Sequence, residues 1–289
     1  MKTPPRLLPL LEDGLIDNVT RQLMSGKEAT VYVVRSGDDV MCAKVYKEAN
    51  KRSFRQSVDY TEGRKVKGSR KARAMAKRSK YGKQAQEEAW QSAEVDALYR
   101  LADAGVTVPK PYNFYEGVLL MELVTDDTGN AAPRLNDLTF SAEEARKHHQ
   151  SLIKEVVRML CAGIVHGDLS EFNILLGENG PVIIDLPQAV DASGNNHAMG
   201  MLERDVNNLA AFFGQFAPEL LNTQYGKEIW ALYAKGALSL EAELTGRVKE
   251  NKKAVDLKSV ITEIDTVREE EAARQLRMLE AKNPQTNNQ

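Results

Sequence analysis

The feature that most restricts what this 289-residue chain can fold into is the run His166-Gly167-Asp168-Leu169-Ser170-Glu171-Phe172-Asn173. It follows a helix stop at Gly163 and precedes the apolar segment Ile174–Leu176. Seventeen residues beyond Asp168 comes Asp185, at the end of Val182-Ile183-Ile184. The two acids and the amide between them meet only if a helix end, a loop and a hairpin are packed together. Phosphoryl transfer uses such a set: one carboxylate orients or deprotonates the attacking group, and other oxygens hold the Mg²⁺ that bridges the β- and γ-phosphates. The spacing therefore predicts one base and two metal ligands. An isolated Asp-Asn pair would be a turn, but this one sits in a loop–strand–hairpin–Asp context.

Around this motif the chain divides into strands followed by helices. Thr30–Val34 and Val40–Tyr46 are rich in β-branched and apolar residues and flank Ser36-Gly37-Asp38-Asp39, which predicts a hairpin. Glu87–Ala104 has helical spacing and is closed by Gly105, and Val108-Pro109-Lys110-Pro111 breaks the chain after it. Val118–Val124 predicts a short strand, with turn-rich residues 126–133 behind it. Ala142–Ala162 predicts an amphipathic helix with Leu152, Ile153, Val156, Val157 and Leu160 on one stripe. Ile174–Leu176 and Val182–Ile184 flank Gly177-Glu178-Asn179-Gly180-Pro181, a second hairpin. From Arg204 the pattern is helical, and Val255–Lys282 keeps a helical stripe before turning highly charged. The order predicts an α+β chain, with a small strand-rich lobe hinged near 124–133 to a mainly helical one.

Composition narrows the function classes. Apolar residues at 42% and charged residues at 28% exclude collagen-like and wholly disordered chains. No apolar run approaches the roughly 18 residues of a membrane span. Prolines and an early acidic pair in the first fourteen residues are unlike a signal peptide, so the expected compartment is the cytoplasm, with no membrane partner. The two cysteines, Cys42 and Cys161, are too few for a disulfide framework and read as buried thiols. His148, His149 and His197 lack metal-ligand spacing and read as solvated. The net charge of −2 conceals a basic segment, Lys47–Lys83, with fourteen Lys/Arg against three Asp/Glu. Such a segment predicts a mobile loop, either a solvated insert or a patch for phosphate-rich partners such as RNA or a nucleotide.

Two charges stand where packing prefers hydrophobes. On the Glu87–Ala104 helix, Trp90, Ala93, Ala97, Leu98 and Leu101 form the buried stripe, and Glu94 falls on it. Strand alternation puts Cys42, Lys44 and Tyr46 on one face of Val40–Tyr46. A buried carboxylate without a partner costs several kcal/mol, so Glu94 predicts a cation, and Lys44 is the candidate. Either residue could instead be a solvated edge residue.

A strand Lys, a helix Glu, a loop Asp and Asn and a later Asp, in this order, resemble the protein-kinase-like superfamily. More closely, the chain resembles RIO kinases of the RioA/type-one branch, in particular the bacterial members. The pieces that carry the likeness are Met24–Tyr32, Ala43–Lys47, Val108–Pro111, Met121–Leu123, Ala132–Leu135, His166–Asn173, Ile184–Ala189 and Leu202–Val206. It spans roughly residues 15–235. The resemblance implies a two-lobed kinase fold with a small β-rich lobe at 1–120, holding a nucleotide loop, the basic loop 47–83 and the Glu94 helix. A hinge at 121–133, a large lobe at 134–245 and a charged helical tail at 246–289 follow. It implies an atypical serine/threonine protein kinase that uses ATP and Mg²⁺, with Mn²⁺ the alternative ion.

The implied roles are these. Asp168 is the base, Asn173 and Asp185 hold the metal, and Lys44, held by Glu94, meets the α- and β-phosphates. Ser25, Gly26 and Lys27 line the phosphates, and Ser170 helps hold the γ-phosphate. The Glu122 carbonyl and the Val124 amide meet the adenine edge, with Met121 as gatekeeper and Val31 and Ala43 roofing the base. From the residues alone, Val31 and Ala43 are equally ordinary strand apolars. His166 packs the loop and Asp205 braces it. The nucleotide loop carries one glycine instead of the G-x-G-x-x-G of ordinary kinases. Nothing like A-P-E follows Asp185, and nineteen residues reach from there to Arg204, which leaves no room for the usual activation segment.

What is known of RIO proteins implies autophosphorylation on serine, with Ser53, Ser57, Ser69 and Ser79 in the basic loop as candidates. For some members it implies a phosphoryl group transiently on the metal Asp, here Asp185, as an ATPase switch. Two other classes stay open. A small-molecule kinase of the aminoglycoside or choline type also carries an H-G-D-x-x-x-x-N loop, although Leu186-Pro187-Gln188 after Asp185 departs from it. An ATP-gated RNA- or ribosome-binding module would use the basic segment, by analogy with eukaryotic relatives.

Overall fold

Alternating apolar residues build the first half of the computed structural model, which describes residues 3–26, 28–47 and 93–248. Strands β1 (Asn18–Ser25), β2 (Ala29–Ser36) and β3 (Asp39–Tyr46) form an antiparallel meander. β4 (Pro111–Tyr115) and β5 (Val118–Glu122) complete a five-stranded sheet in the order β1-β2-β3-β5-β4. Before the meander, a short helix α1 (Leu8–Glu12) follows a 3₁₀ turn at Pro5–Leu7.

The hairpin expected over 30–46 is β2–β3, and the strand expected at 118–124 is β5. β1 and β4 have no counterpart among the sequence expectations. β1 lies at the sheet edge and most of its residues are exposed, so it lacks an apolar alternation. β4 opens with a proline, which an edge strand tolerates in its first position.

The sheet separates two apolar clusters. On one face Tyr32, Val34, Met41, Ala43, Val45, Val118 and Leu120 pack with Leu7, Leu10 and Ile16 of the N-terminal segment. On the other face Ala29, Tyr46 and Leu119 join helix α2, described over 93–103, and run on into the helical half. α2 buries Glu94, Val95, Ala97, Leu98 and Leu101, and Trp90 lies outside the described residues. It ends at Gly105, whose φ of +74° lets the Val106 amide reach the Leu101 carbonyl at 2.9 Å.

The second half is built on α3 (Ala142–Cys161), α4 (Ala198–Phe213) and α5 (Tyr225–Ala234). Ser141 starts α3 with a reciprocal cap: its hydroxyl accepts from the Glu144 amide, and the Glu144 carboxylate accepts from the Ser141 amide. Gly163, at φ +75°, turns the chain into β6 (Ile164–Val165). A hairpin of β7 (Ile174–Gly177) and β8 (Gly180–Ile183) follows. Residues 186–197 then hold only the two-residue β9 (Val190–Asp191), paired with β6, before α4 begins.

The architecture is the expected α+β, kinase-like fold without the usual activation segment. All the described residues lie in one unit, Met1–Val248; a second unit, Lys249–Gln289, lies outside them, as do Lys27, nearly all of the 47–83 segment and most of the expected tail. Among the described residues no helix is long and apolar enough to cross a membrane.

Two expectations are corrected. Cys161, the last residue of α3, is exposed rather than buried. His149 is not solvated but 2% exposed, packed between Phe213 and Tyr225. It precedes Leu152 by three residues and Ile153 by four, so it continues their buried stripe.

Candidate functional site

Register along the sheet decides what faces the cleft. Lys44 pairs with Val31 on β2 and with Leu119 on β5, while Cys42 pairs with Val33 and Met121. These residues share the face that continues through α2. Lys44 is 9% exposed, and its Nζ donates to Glu94 Oε1 at 2.5 Å and to Asp185 Oδ1 at 2.8 Å. Burial alone would lower the lysine, but the Asp185 and Glu94 carboxylates outweigh it and hold the ammonium well above its ordinary range. The same ammonium holds Asp185 below the usual carboxylate range. Its Nζ also stands 5.5 Å from the centroid of the Tyr46 ring.

Asp185 follows β8 with φ +68°, a left-handed conformation that is uncommon outside glycine and better tolerated by Asp than by most residues. Its neighbours hold it there. The Ile184 amide donates to the Asn173 carbonyl at 3.0 Å, and His166 Nε2 meets the Ile184 carbonyl at 3.1 Å. Burial lowers the His166 pKa and favours the neutral ring. Nε2–H then donates to Ile184, and Nδ1 accepts from the Asp168 amide at 3.3 Å. The imidazole thus ties the Asp168 loop to the Asp185 loop.

The loop itself is held from behind by α4. Asp205, 1% exposed, accepts from the Gly167 amide at 2.8 Å and the Leu169 amide at 3.0 Å. Burial raises its pKa to about 7 against the pull of those two donors. One turn on, Asn208 Nδ2 donates to the Leu169 carbonyl at 3.0 Å, and Arg204 donates to the Gly167 carbonyl. Asp168 is consequently aimed outward with an exposed carboxylate, raised by partial burial. Gln188 Nε2 approaches its Oδ2 at 3.4 Å. Asn173 Nδ2 donates to the Asp168 carbonyl at 2.9 Å, which leaves the amide oxygen Oδ1 for another partner. Ser170 opens the 3₁₀ turn Glu171–Asn173 and accepts from the Asn173 amide at 2.9 Å.

At the end of β5, the Glu122 amide donates to the Lys110 carbonyl at 2.8 Å, and the Glu122 carboxylate accepts from the Lys110 amide. The Val124 carbonyl accepts from Ala132, and among the described residues no backbone acceptor meets the Val124 amide. In the β1–β2 connection, the Gly26 amide donates to the Ala29 carbonyl at 2.9 Å, and Ser25 Oγ lies 3.3 Å from Thr30 Oγ1.

The structure therefore brings Lys44, Glu94 and Asp185 into direct contact and links Asp168 to Asn173 and, through His166, to the Asp185 loop. Val31 and Met121 lie on the same sheet face. One expected site residue faces elsewhere: Ala43 is fully buried with Leu7 and Leu10 on the opposite side of the sheet, because it is one residue out of phase with Lys44. Cys42 holds the cleft-facing position, with burial pushing its thiol up to about 12. Strand alternation already groups Cys42 with Lys44 and could have identified it. Arg204, Asn208 and Gln188 carry no local signal that separates them from surface polars.

A donor set of one carboxylate and one amide oxygen suits Mg²⁺, which keeps several waters and takes other ligands from phosphates. Among the described residues no group of three or more His, Cys, Asp or Glu could hold a metal by itself. The fit is to a metal that arrives with a phosphate ligand.

The RIO domain family matches residues 30–225. RIO-type serine/threonine-protein kinase Rio1 of Haloferax volcanii is 36% identical over 206 residues, covering 71% of this chain and 66% of that protein. Serine/threonine-protein kinase RIO1 of Caenorhabditis elegans is 30% identical over 226 residues, covering 75% and 41%. This chain thus spans just under two thirds of the archaeal relative's length and about two fifths of the nematode relative's. Among solved structures, the Rio2 kinase–ADP/Mg²⁺–phosphoaspartate complex from Chaetomium thermophilum has a TM-score of 0.52 at 19% identity, covering 81% of this chain and 73% of that one. At that identity the likeness is one of fold.

Proposed function

The chain belongs to the RIO family, and on that premise we propose that it is an atypical serine/threonine kinase that transfers the γ-phosphoryl group of Mg²⁺-ATP to protein hydroxyls, its own included. The observation that carries this reading is the buried Lys44 ammonium held between Glu94 and Asp185, with the Asp185 loop tied through His166 to the loop of Asp168 and Asn173. Lys44 binds the α- and β-phosphates, and Glu94 keeps its charge in place. Val31, Cys42 and Met121 face the base, and the Val124 amide and Glu122 carbonyl read its edge. Ser25, Gly26 and Lys27 cover the phosphates, and Ser170 meets the γ-phosphate. Asp185 and Asn173 would hold Mg²⁺, which would supply charge neutralisation to the phosphates. Asp168 accepts the proton of the attacking hydroxyl.

The lobes are taken as 1–120 and 134–245, with 121–133 between them, and an ATP-consuming enzyme of this kind is placed in the cytoplasm. The phosphoaspartate of the Chaetomium Rio2 complex favours a second outcome at the same site. There, an Asp185 carboxylate oxygen bonds the γ-phosphorus as the bond to ADP breaks, and water later releases phosphate. RNA or ribosome association rests on the basic segment and on analogy.

The test is release and transfer of label from γ-³²P-ATP with and without Mg²⁺. Wild type labels serine or threonine only with the metal, and Asp185→Asn and Asp168→Ala do not. Equal turnover in Asp185→Asn, or acceleration by an aminoglycoside or amino alcohol, would overturn the assignment. Acid-stable label marks a hydroxyl acceptor, and hydroxylamine-labile label marks Asp185.

A further inference from the structure

By composition Lys47 is merely the first residue of the basic segment, yet its contacts belong to the nucleotide loop. Its backbone amide donates to the Glu28 carbonyl at 2.9 Å. The preceding Tyr46 amide donates to the Gly117 carbonyl at 3.2 Å, so the end of β3 is anchored on both sides. From that fixed base the Lys47 side chain reaches back across the β1–β2 connection. Its Nζ donates to the Gly26 carbonyl at 2.5 Å and to Ser25 Oγ at 3.1 Å.

We propose that Lys47 is a positioning residue for the nucleotide: its ammonium ties the Ser25–Gly26 turn to the end of β3 and adds a second positive charge where the phosphates lie. This rests on the nucleotide reading of the site. A loop with one glycine lacks the repeated glycines that let ordinary kinase loops fold down on phosphates. An ammonium that gathers a hydroxyl and a carbonyl of the turn supplies both the ordering and the charge. Both of its acceptors are neutral, so two of its three protons are engaged while its charge is uncompensated by either, and that charge is available to a phosphate oxygen. The division of labour with Lys44 follows from position. Lys44 is sequestered by two carboxylates on the sheet face, whereas Lys47 is partly exposed just past the end of β3.

The experiment compares the full-length wild type, Lys47→Met, Lys47→Gln and Lys47→Arg by calorimetric titration with Mg²⁺-ATP, Mg²⁺-ADP and adenosine. Thermal midpoints and steady-state kinetics are measured in parallel. Loss of one charge-assisted tie at a partly exposed position predicts a Kd for Mg²⁺-ATP raised about three- to tenfold in the Met and Gln variants. Adenosine affinity and the thermal midpoint stay at wild-type values, KM for ATP rises while kcat changes less than KM, and Lys47→Arg recovers most of the affinity. Unchanged ATP affinity in both neutral variants overturns the proposal, as does an equal loss for adenosine, which marks a general structural role. Wild type that binds no Mg²⁺-ATP overturns the nucleotide reading itself, and this inference with it.

Discussion

Lys44 is satisfied twice, once by a carboxylate from α2 and once by Asp185. A charge this deeply buried stays ionised because carboxylates stand beside it. Replacing one of them therefore unbalances the site more than it unfolds the protein. Glu94→Gln leaves Lys44 drawn toward Asp185 alone, which competes with both the phosphates and the metal for the same two groups. We expect kcat/KM for ATP to fall roughly ten- to a hundredfold, the range of one hydrogen bond to a charged group. Thermal stability falls far less, because Asp185 still compensates the ammonium; activity and thermal midpoint measured on the same preparation check both halves. The pairing was legible in the sequence because each partner sits where its own element's periodicity calls for a hydrophobe. The same alternation that exposed Lys44 assigns Cys42 rather than Ala43 to the cleft. There the family pattern suggested one residue and strand parity another, and the backbone obeys parity.

α4 acts as a brace through three side chains, Arg204, Asp205 and Asn208, that reach the backbone of residues 167–169. Asp205→Ala would strand two amides behind the loop, each costing about 1–3 kcal/mol when left unpaired in the interior. Asn208→Ala removes one donor and costs about 1 kcal/mol. Because these residues hold Asp168 and touch neither Lys44 nor the hinge, both variants should lose kcat while ATP affinity holds. Equal losses in kcat and affinity would refute the brace. At this scale the sequence was readable wherever an element announces itself by periodicity and punctuation. α3 has its Ser141–Glu144 cap and Gly163 stop, and β7–β8 has a glycine-rich turn. It was silent for β1, which earns its place by pairing with β2 through backbone groups, and for the Arg204 and Asn208 arms of the brace, whose partners are some forty residues away in sequence; Asp205 was suggested by the family resemblance alone.

Among the described residues, His149 and Asp205 are buried ionisable groups whose pH dependences oppose each other. His149 sits in the core of the helical half with its Nε2 unpartnered, and burial lowers its pKa from 6.5 to about 4. Between those values the unfolded chain binds the proton and the folded chain does not, so stability rises with pH. Burial raises Asp205 from 3.8 to about 7. Between those values the folded chain holds the proton that the unfolded chain has lost, so stability falls with pH. Asp185 adds nothing in this window: its pKa is lowered, so its contribution is complete above the ordinary carboxylate value and is lost only at more acidic pH. From pH 4.5 to 6.5 the His149 and Asp205 contributions run in opposite directions and largely offset each other. Urea unfolding at both pH values should show little pH dependence from these groups in wild type. His149→Phe should become less stable as pH rises, by roughly 2–3 kcal/mol relative to wild type over the interval, and Asp205→Asn should become more stable by a similar amount. The double variant should return to the wild-type slope, since the two sites share no partner among the described hydrogen bonds and additivity holds for such pairs. Parallel pH curves for wild type and both single variants would show that neither group changes its protonation on folding.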